Sequence, residues 1–212
     1  MNILEKMGMV GIVPVVVLER PEDAVPAARA LLDGGIDVME ITLRTPAAEA
    51  AIRAVADQCP VMTVGAGTVV SAKQCGRVLD CGAQFIVSPG CREELIRFCV
   101  ERGAVLIPGC ATPSEIMLAV SYGLEVLKFF PANIYGGIQA MRALAGPFPR
   151  VRFIPTGGIN GENLAEYAAE RCIHAVGGSW LCGREDIARG RFDRIAALCR
   201  QARERLNQAR AS

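Results

Sequence analysis

Lysine and histidine are nearly absent from this chain of 212 residues. Lys6, Lys73 and Lys128 stand against twenty arginines, and His174 is the only histidine. One imidazole excludes a histidine-rich metal site. Aromatic residues make up only 5%, and acidic and basic side chains nearly cancel to a net charge of +1. That combination offers neither the basic footprint nor the stacking surface of a nucleic-acid binder, and no attraction to an anionic membrane. Long hydrophobic runs are missing too. The longest, Val10 to Leu18, is broken by Gly11 and Pro14 and is about half the length of a membrane span. Without a basic stretch before it or a small-residue cleavage site after it, the run does not read as a signal peptide, so the expected compartment is the cytoplasm. The nine cysteines contain no C-x-x-C pair and are odd in number. They read as reduced, small apolar core residues rather than disulfides or zinc ligands.

What is present is a large apolar fraction, 51%, arranged in two alternating patterns. Short runs rich in branched residues fall at Ile12–Leu18, Ile36–Thr42, Val61–Gly65, Phe85–Ser88, Val105–Ile107, Val126–Phe129, Val151–Ile154 and Ile173–Val176. Most are continuously apolar, as parallel strands buried on both faces are. Between them, segments with helical spacing cover 21–33, 46–57, 71–81, 91–102, 112–122, 137–144 and 161–170, followed by a charged amphipathic helix from Arg191 to Arg210. Strand–helix units of roughly twenty to twenty-five residues, eight times over, are the plan of an α/β protein: a single (β/α)8 TIM barrel in one domain spanning 1–212. A doubly wound open sheet would need a glycine turn after the first strand, and Leu18-Glu19-Arg20-Pro21 has none.

In such a barrel the chemistry gathers at the carboxyl ends of the strands. Lys128 interrupts the sixth apolar strand in a chain that otherwise uses arginine for positive charge. An amine deprived of water reaches its neutral, nucleophilic form more easily, which is what Schiff-base chemistry on a carbonyl needs. Glu40 interrupts the second strand near its exit and suits proton transfer, with pairing to Lys128 or Arg44 as the plainer role. Glycine pairs at Thr156-Gly157-Gly158 and Gly177-Gly178-Ser179 follow strands seven and eight, where backbone N–H groups commonly hold a phosphate. Arg44 suits a substrate carboxylate, and the Gly65-Ala66-Gly67-Thr68 loop offers N–H groups and a hydroxyl beside it. His174 falls at the amino-terminal end and reads as structural. A sugar-phosphate isomerase or epimerase, or a non-catalytic phosphometabolite-binding barrel, would use the same glycine loops.

Taken together, these segments resemble the class I aldolases of the 2-keto-3-deoxy-6-phosphogluconate (KDPG) and 4-hydroxy-2-oxoglutarate (KHG) family. The resemblance runs from Val13-Pro14-Val15-Val16 to Gly177-Gly178-Ser179-Trp180. Its most specific pieces are Glu40-Ile41-Thr42-Leu43-Arg44-Thr45, Gly65-Ala66-Gly67-Thr68, Lys128-Phe129-Phe130-Pro131-Ala132 and Pro155-Thr156-Gly157-Gly158-Ile159. It implies a homotrimer working without metal or organic cofactor on a phosphorylated 2-keto acid. By position it implies Lys128 as the Schiff-base lysine, Glu40 as general acid/base, and Arg44 and Thr68 at the substrate carboxylate. It likewise implies Pro89 lining the pocket and Gly157, Gly158 and Ser179 at the phosphate. Arg44 and Thr45 resemble the phosphogluconate branch more than the galactonate branch. Asn133-Ile134-Tyr135 departs from the family pattern, which leads one to expect an acidic residue at the first of these positions.

Overall fold

Strands and helices alternate along a computed structural model that describes residues 1–211. The order is α1 (Ile3–Val10), β1 (Ile12–Val16), a 3-10 turn (Pro21–Asp23), α2 (Ala24–Asp33), β2 (Val38–Thr42), α3 (Ala48–Gln58), β3 (Thr63–Gly67), α4 (Ala72–Asp80), β4 (Phe85–Val87) and α5 (Glu93–Glu101). It continues with β5 (Val105–Ile107), α6 (Pro113–Ser121), β6 (Val126–Phe129), α7 (Gly137–Ala145), β7 (Arg152–Pro155), α8 (Leu164–Ala168), β8 (Val176–Gly178), α9 (Arg184–Ala188) and α10 (Phe192–Ala211).

All named strand pairs are parallel. Six strands form a curled sheet in the order β5-β4-β3-β2-β1-β8, and β6 pairs with β7 in a separate ribbon. The ribbon meets the larger sheet along two thin seams: a bridge between Gly109 and Lys128 on one side, and bridges Phe153–Ile173 and Thr156–Gly177 on the other. The continuously apolar strand sequences follow from this arrangement, since helices cover one face and packed side chains the other. In α3, for example, Ala48, Ala51, Ile52 and Val55 recur at helical spacing and are all buried. Small residues let the outer helices come close. A Cβ added to Gly34 would lie 2.2 Å from Cβ of Cys199 in α10.

All nine cysteines are free thiols and seven are buried. Burial pushes the Cys199 thiol up to about 12 and raises Cys182 as well.

Three expectations are corrected. The first helix, α1, was not anticipated. It is opened by a capping box between Asn2 and Glu5 and closed by Gly11 in the left-handed conformation, and it buries Met7 under the amino-terminal end of the sheet. The eighth strand lies at 176–178 rather than 173–176, so Gly177 and Gly178 belong to the strand and not to the loop after it. Likewise the third strand lies at 63–67 rather than 61–65, so Ala66 and Gly67 are strand, not loop. Glycine has weak intrinsic strand preference, and what overrides that preference is space: the positions a Cβ would occupy are filled by neighbouring side chains.

The amino-terminal end is tied together by polar groups remote from the strand exits. Lys6 pairs with Asp37 at 3.0 Å and donates to Thr63 Oγ1 at 2.8 Å. His174 Nε2 lies 2.7 Å from the Leu4 carbonyl oxygen, which can only accept, so Nε2 carries the proton. Burial holds this imidazole below its ordinary value, with the bond to Leu4 partly opposing. The unfolded chain therefore takes up the proton first as the pH falls. The contribution of neutral His174 is present above about pH 6.5 and is lost as the pH drops below it. The thermal midpoint should fall more steeply on acidification in the wild-type protein than in His174→Gln, which keeps a donor for Leu4. Equal slopes in differential scanning calorimetry would refute this.

Candidate active site

β2 enters the site because its sequence, Val38-Met39-Glu40-Ile41-Thr42, alternates faces. Glu40 shares a face with Val38 and Thr42, opposite Met39 and Ile41. At the end of the strand Thr42 Oγ1 donates to the Val16 carbonyl at 3.2 Å, and just beyond it Thr45 Oγ1 donates to the Leu18 carbonyl at 2.5 Å. The exit of β2 is thereby tied to that of β1, and Arg44 is held between these two anchors. Arg44 is exposed and has no protein partner among the described residues.

Lys128 Nζ lies 3.4 Å from Glu40 Oε1, and the two side chains are only 8% and 4% exposed. β2 and β6 are not neighbours in either sheet, so this pair spans the enclosed interior. Lys128 is the only lysine so enclosed. Its ammonium also sits 5.4 Å from the centre of the Phe130 ring, on the same face two residues on. Exposed ion pairs contribute little, but a pair this well sealed from water is strongly interdependent, because removing one member strands the other's charge.

Two glycines of β3 make the arrangement possible. A Cβ at Gly67 would fall 1.9 Å from Glu40 Oε1, and one at Gly65 would fall 2.3 Å from the Phe85 ring. The carboxylate therefore lies across β3 in space that only a glycine leaves open. Immediately after Gly67 the chain turns at Thr68 with φ +61°, the one non-glycine residue with a positive φ among those described. A β-branched residue held there costs on the order of 1–3 kcal/mol and marks a turn over-determined by its surroundings.

A cavity of about 430 Å³ opens between the exits of β4, β5 and β6, the last being the strand that carries Lys128. Pro89, Gly109, Cys110, Phe130 and Tyr135 contribute to its wall, and the Thr112–Glu115 capping box of α6 forms its rim. A hydrogen bond with Cys91, together with burial, pushes the Cys110 thiol well above its ordinary range.

The third group lies at the exits of β7 and β8, which the Thr156–Gly177 bridge brings side by side. Gly157 and Gly158 have φ of +98° and +77°, backbone that strongly favours glycine. The Gly158 carbonyl accepts from Asn163 Nδ2 at 3.0 Å, and Ser179 is exposed just past β8. Gly177 and Gly178 serve differently: Thr156 Oγ1 and the Trp180 ring occupy the space their side chains would take. The residues that the sequence assigns to the site thus lie at or near strand exits, and His174 lies at the opposite end. Phe130 beside the ammonium, Thr156 Oγ1 filling the space at Gly177 and Gly67 making room for Glu40 are roles that the sequence reading does not assign. Period-two spacing from Lys128 would have flagged Phe130, whereas nothing local reveals the contact between Gly67 and Glu40. Among the described residues, no group of three or more His, Cys, Asp or Glu side chains converges as a metal cage.

A buried lysine facing a carboxylate across a curled parallel sheet, with open loops at the strand exits, defines an α/β protein built for small-molecule carbonyl chemistry. Residues 3–198 match the sequence model of the KDPG and KHG aldolases. The chain is 48% identical over 193 residues to the KHG/KDPG aldolase of Escherichia coli (strain K12), covering 91% of each. It is 47% identical over 200 residues to the 2-dehydro-3-deoxy-phosphogluconate aldolase of Treponema pallidum (strain Nichols), covering 94% of this chain and 95% of the relative. It also superposes with a TM-score of 0.91 and 40% identity on the crystal structure of KDPG aldolase from Legionella pneumophila, in which pyruvate is captured as a covalent carbinolamine; the match covers 94% of this chain and 97% of that one. The chain belongs to the KDPG and KHG aldolase family.

Proposed function

We propose that this chain is a class I aldolase, an aldehyde-lyase that cleaves 2-keto-3-deoxy-6-phosphogluconate to pyruvate and glyceraldehyde 3-phosphate. In this reading 4-hydroxy-2-oxoglutarate, split to pyruvate and glyoxylate, is a second substrate. The observation that carries it is the 3.4 Å approach of Lys128 Nζ to Glu40 Oε1 inside the curled sheet.

Neutral Lys128 adds to the C2 carbonyl, and the carbinolamine loses water to give a protonated imine. Through a water molecule, Glu40 takes the proton of the C4 hydroxyl. The C3–C4 bond breaks as the C4 oxygen becomes the aldehyde, and its electron pair moves to the iminium to give an enamine. Glyceraldehyde 3-phosphate leaves, C3 is protonated, and hydrolysis of the imine frees pyruvate and the amine. Arg44 and Thr68 hold the carboxylate end, Pro89 lines the pocket, and Gly157, Gly158 and Ser179 receive the phosphate.

The same reading takes the curled sheet and the β6–β7 ribbon as one closed (β/α)8 barrel, a single domain over 1–212, assembled as a homotrimer in the cytoplasm. It is supported by parallel bridges at both seams and, with respect to membranes, by the absence of any helix among the described residues long and apolar enough to cross one.

Borohydride reduction in the presence of pyruvate, followed by mass spectrometry of the digest, tests the mechanism. The expected result is a reduced pyruvyl adduct on Lys128 alone. A folded protein that takes up no adduct at saturating pyruvate would overturn the Schiff-base assignment.

A further inference from the structure

Cys91 and Cys110 take no part in the reaction as derived above, yet they stand together at the edge of the cavity beside β6. The loops leaving β4 and β5 run against each other: a Cβ at Gly109 would fall 2.2 Å from the Pro89 carbonyl oxygen and 2.9 Å from the Gly90 nitrogen. The next residue in each loop is a cysteine, and the two side chains meet in a hydrogen bond. Cys91 Sγ also lies 3.5 Å from the Glu115 carbonyl oxygen, while Cys110 is buried and lines the cavity. The Cys110 loop is bonded on both sides to the backbone of Lys128. The Lys128 N–H donates to the Pro108 carbonyl at 2.8 Å, and the Lys128 carbonyl accepts from the Cys110 N–H at 2.9 Å.

Of the nine thiols only Cys81 and Cys91 are not buried. Cys81 has the Arg53 guanidinium 3.6 Å away. Cys75 and Cys99 lie sulfur to sulfur at 3.5 Å, but both are sealed between α4 and α5. Cys91 combines the two properties, partial exposure and a thiol neighbour. The hydrogen bond from Cys110 holds the Cys91 thiol below its ordinary value, against burial and the Glu115 carboxylate. An accessible sulfur poised beside a second one is what a peroxide-reactive site requires. We propose that Cys91 and Cys110 form an oxidative modification site for hydroperoxides, Cys91 as the attacking and Cys110 as the resolving sulfur, whose disulfide slows turnover at the neighbouring Lys128. The Cys91 sulfur attacks one peroxide oxygen and the O–O bond breaks; water or an alcohol leaves with the Cys91 proton, and Cys91 is then a sulfenic acid. The Cys110 sulfur displaces the hydroxyl, which leaves as water with the Cys110 proton as the S–S bond forms. The two sulfurs together lose two electrons and the peroxide gains them. A covalent S–S bond is shorter than a hydrogen-bonded contact, so it draws the β4 and β5 exits together beside Lys128.

The inhibitory half is read as aldol turnover and so rests on the proposed function, whereas the modification itself is read by mass. Reduced wild-type protein, Cys91→Ala and Cys110→Ala are each treated with a small excess of hydrogen peroxide. Each is then digested without reduction for mass spectrometry and assayed for pyruvate release from 2-keto-3-deoxy-6-phosphogluconate. The wild type should give a Cys91–Cys110 crosslink and turnover lowered about 10-fold or more, both reversed by dithiothreitol. Cys91→Ala should form no such crosslink and keep the turnover it has before peroxide. In Cys110→Ala, dimedone should trap a sulfenic acid at Cys91. A first crosslink at Cys75–Cys99, or oxidation of Cys81 ahead of Cys91, would overturn the assignment of the site. A Cys91–Cys110 crosslink that leaves turnover within about 2-fold of the reduced protein would overturn the inhibition. Absence of turnover in the reduced wild type would instead overturn the proposed function, with the crosslink still decided by mass.

Discussion

Lys128→Arg should abolish borohydride-dependent labelling by pyruvate and lower the aldol cleavage rate by on the order of 10⁴-fold or more. A guanidinium does not give up its proton near neutral pH and forms no imine, but it keeps the positive charge that Glu40 faces in a nearly dry setting. This is why arginine is a more informative replacement than methionine. Removing the charge would leave Glu40 buried and unpaired, at about 3–5 kcal/mol, and mix a folding defect with a chemical one. The arginine variant should melt cooperatively, with a loss of about 1–3 kcal/mol from its larger side chain. Near-normal turnover in that variant would refute the mechanism; lost turnover with labelling retained at another lysine would move the nucleophile.

Gly67→Ala should be the second most damaging change, although residue 67 need not touch the substrate. The new methyl group would sit 1.9 Å from Glu40 Oε1, a contact that can be relieved only if the carboxylate swings away. The atoms to be moved, Oε1, Cδ and Cγ, belong to one side chain and not to the backbone, so the cost to the fold should stay at about 1–3 kcal/mol. The cost to proton transfer is greater, because a displacement of about 1 Å at a reacting group is worth about 100-fold. The expected outcome is a kcat reduced about 100-fold, with KM little changed and Lys128 still trapped by pyruvate and borohydride. A double-mutant cycle with Glu40→Ala sharpens the test. Removing Glu40 Oε1, Cδ and Cγ removes every atom that the methyl group would meet at 2.6 Å or less, so the double variant should be scarcely worse than Glu40→Ala alone. Strictly additive losses, or wild-type kcat in Gly67→Ala, would count against this positioning role.

Much of the architecture was legible in the sequence because parallel strands sealed on both faces write themselves as unbroken apolar runs. Lys128 and Glu40 stood out for the same reason, each being the charged exception in such a run. The glycines were harder to read. From the sequence, Gly65-Ala66-Gly67 and Gly177-Gly178 look like turns, because glycine usually marks a change of direction. In the fold they are straight strand, emptied of side chains so that Phe85, Glu40, Thr156 and Trp180 can fill the space. Such contacts join residues distant in the chain, and no local pattern encodes them. Helix α1 was missed differently. Its signal, Asn2 followed three residues later by Glu5, was present but very short, and most of its partners come from elsewhere in the chain.

The two-strand ribbon carries a consequence for how substrates are measured. Lys128 lies on β6, and Gly157-Gly158 follow β7, its hydrogen-bonded neighbour, whereas Glu40, Thr68 and Arg44 belong to the six-strand sheet beyond the seams. In the proposed reaction the ribbon therefore acts as a ruler. The span from imine carbon to the Gly157-Gly158 side of the phosphate site is set within one pair of strands, while Ser179, just past β8, closes that site from the larger sheet. Substitutions along β6 and β7 should change which chain length fits, and substitutions across the seams should change how fast the fitted molecule reacts.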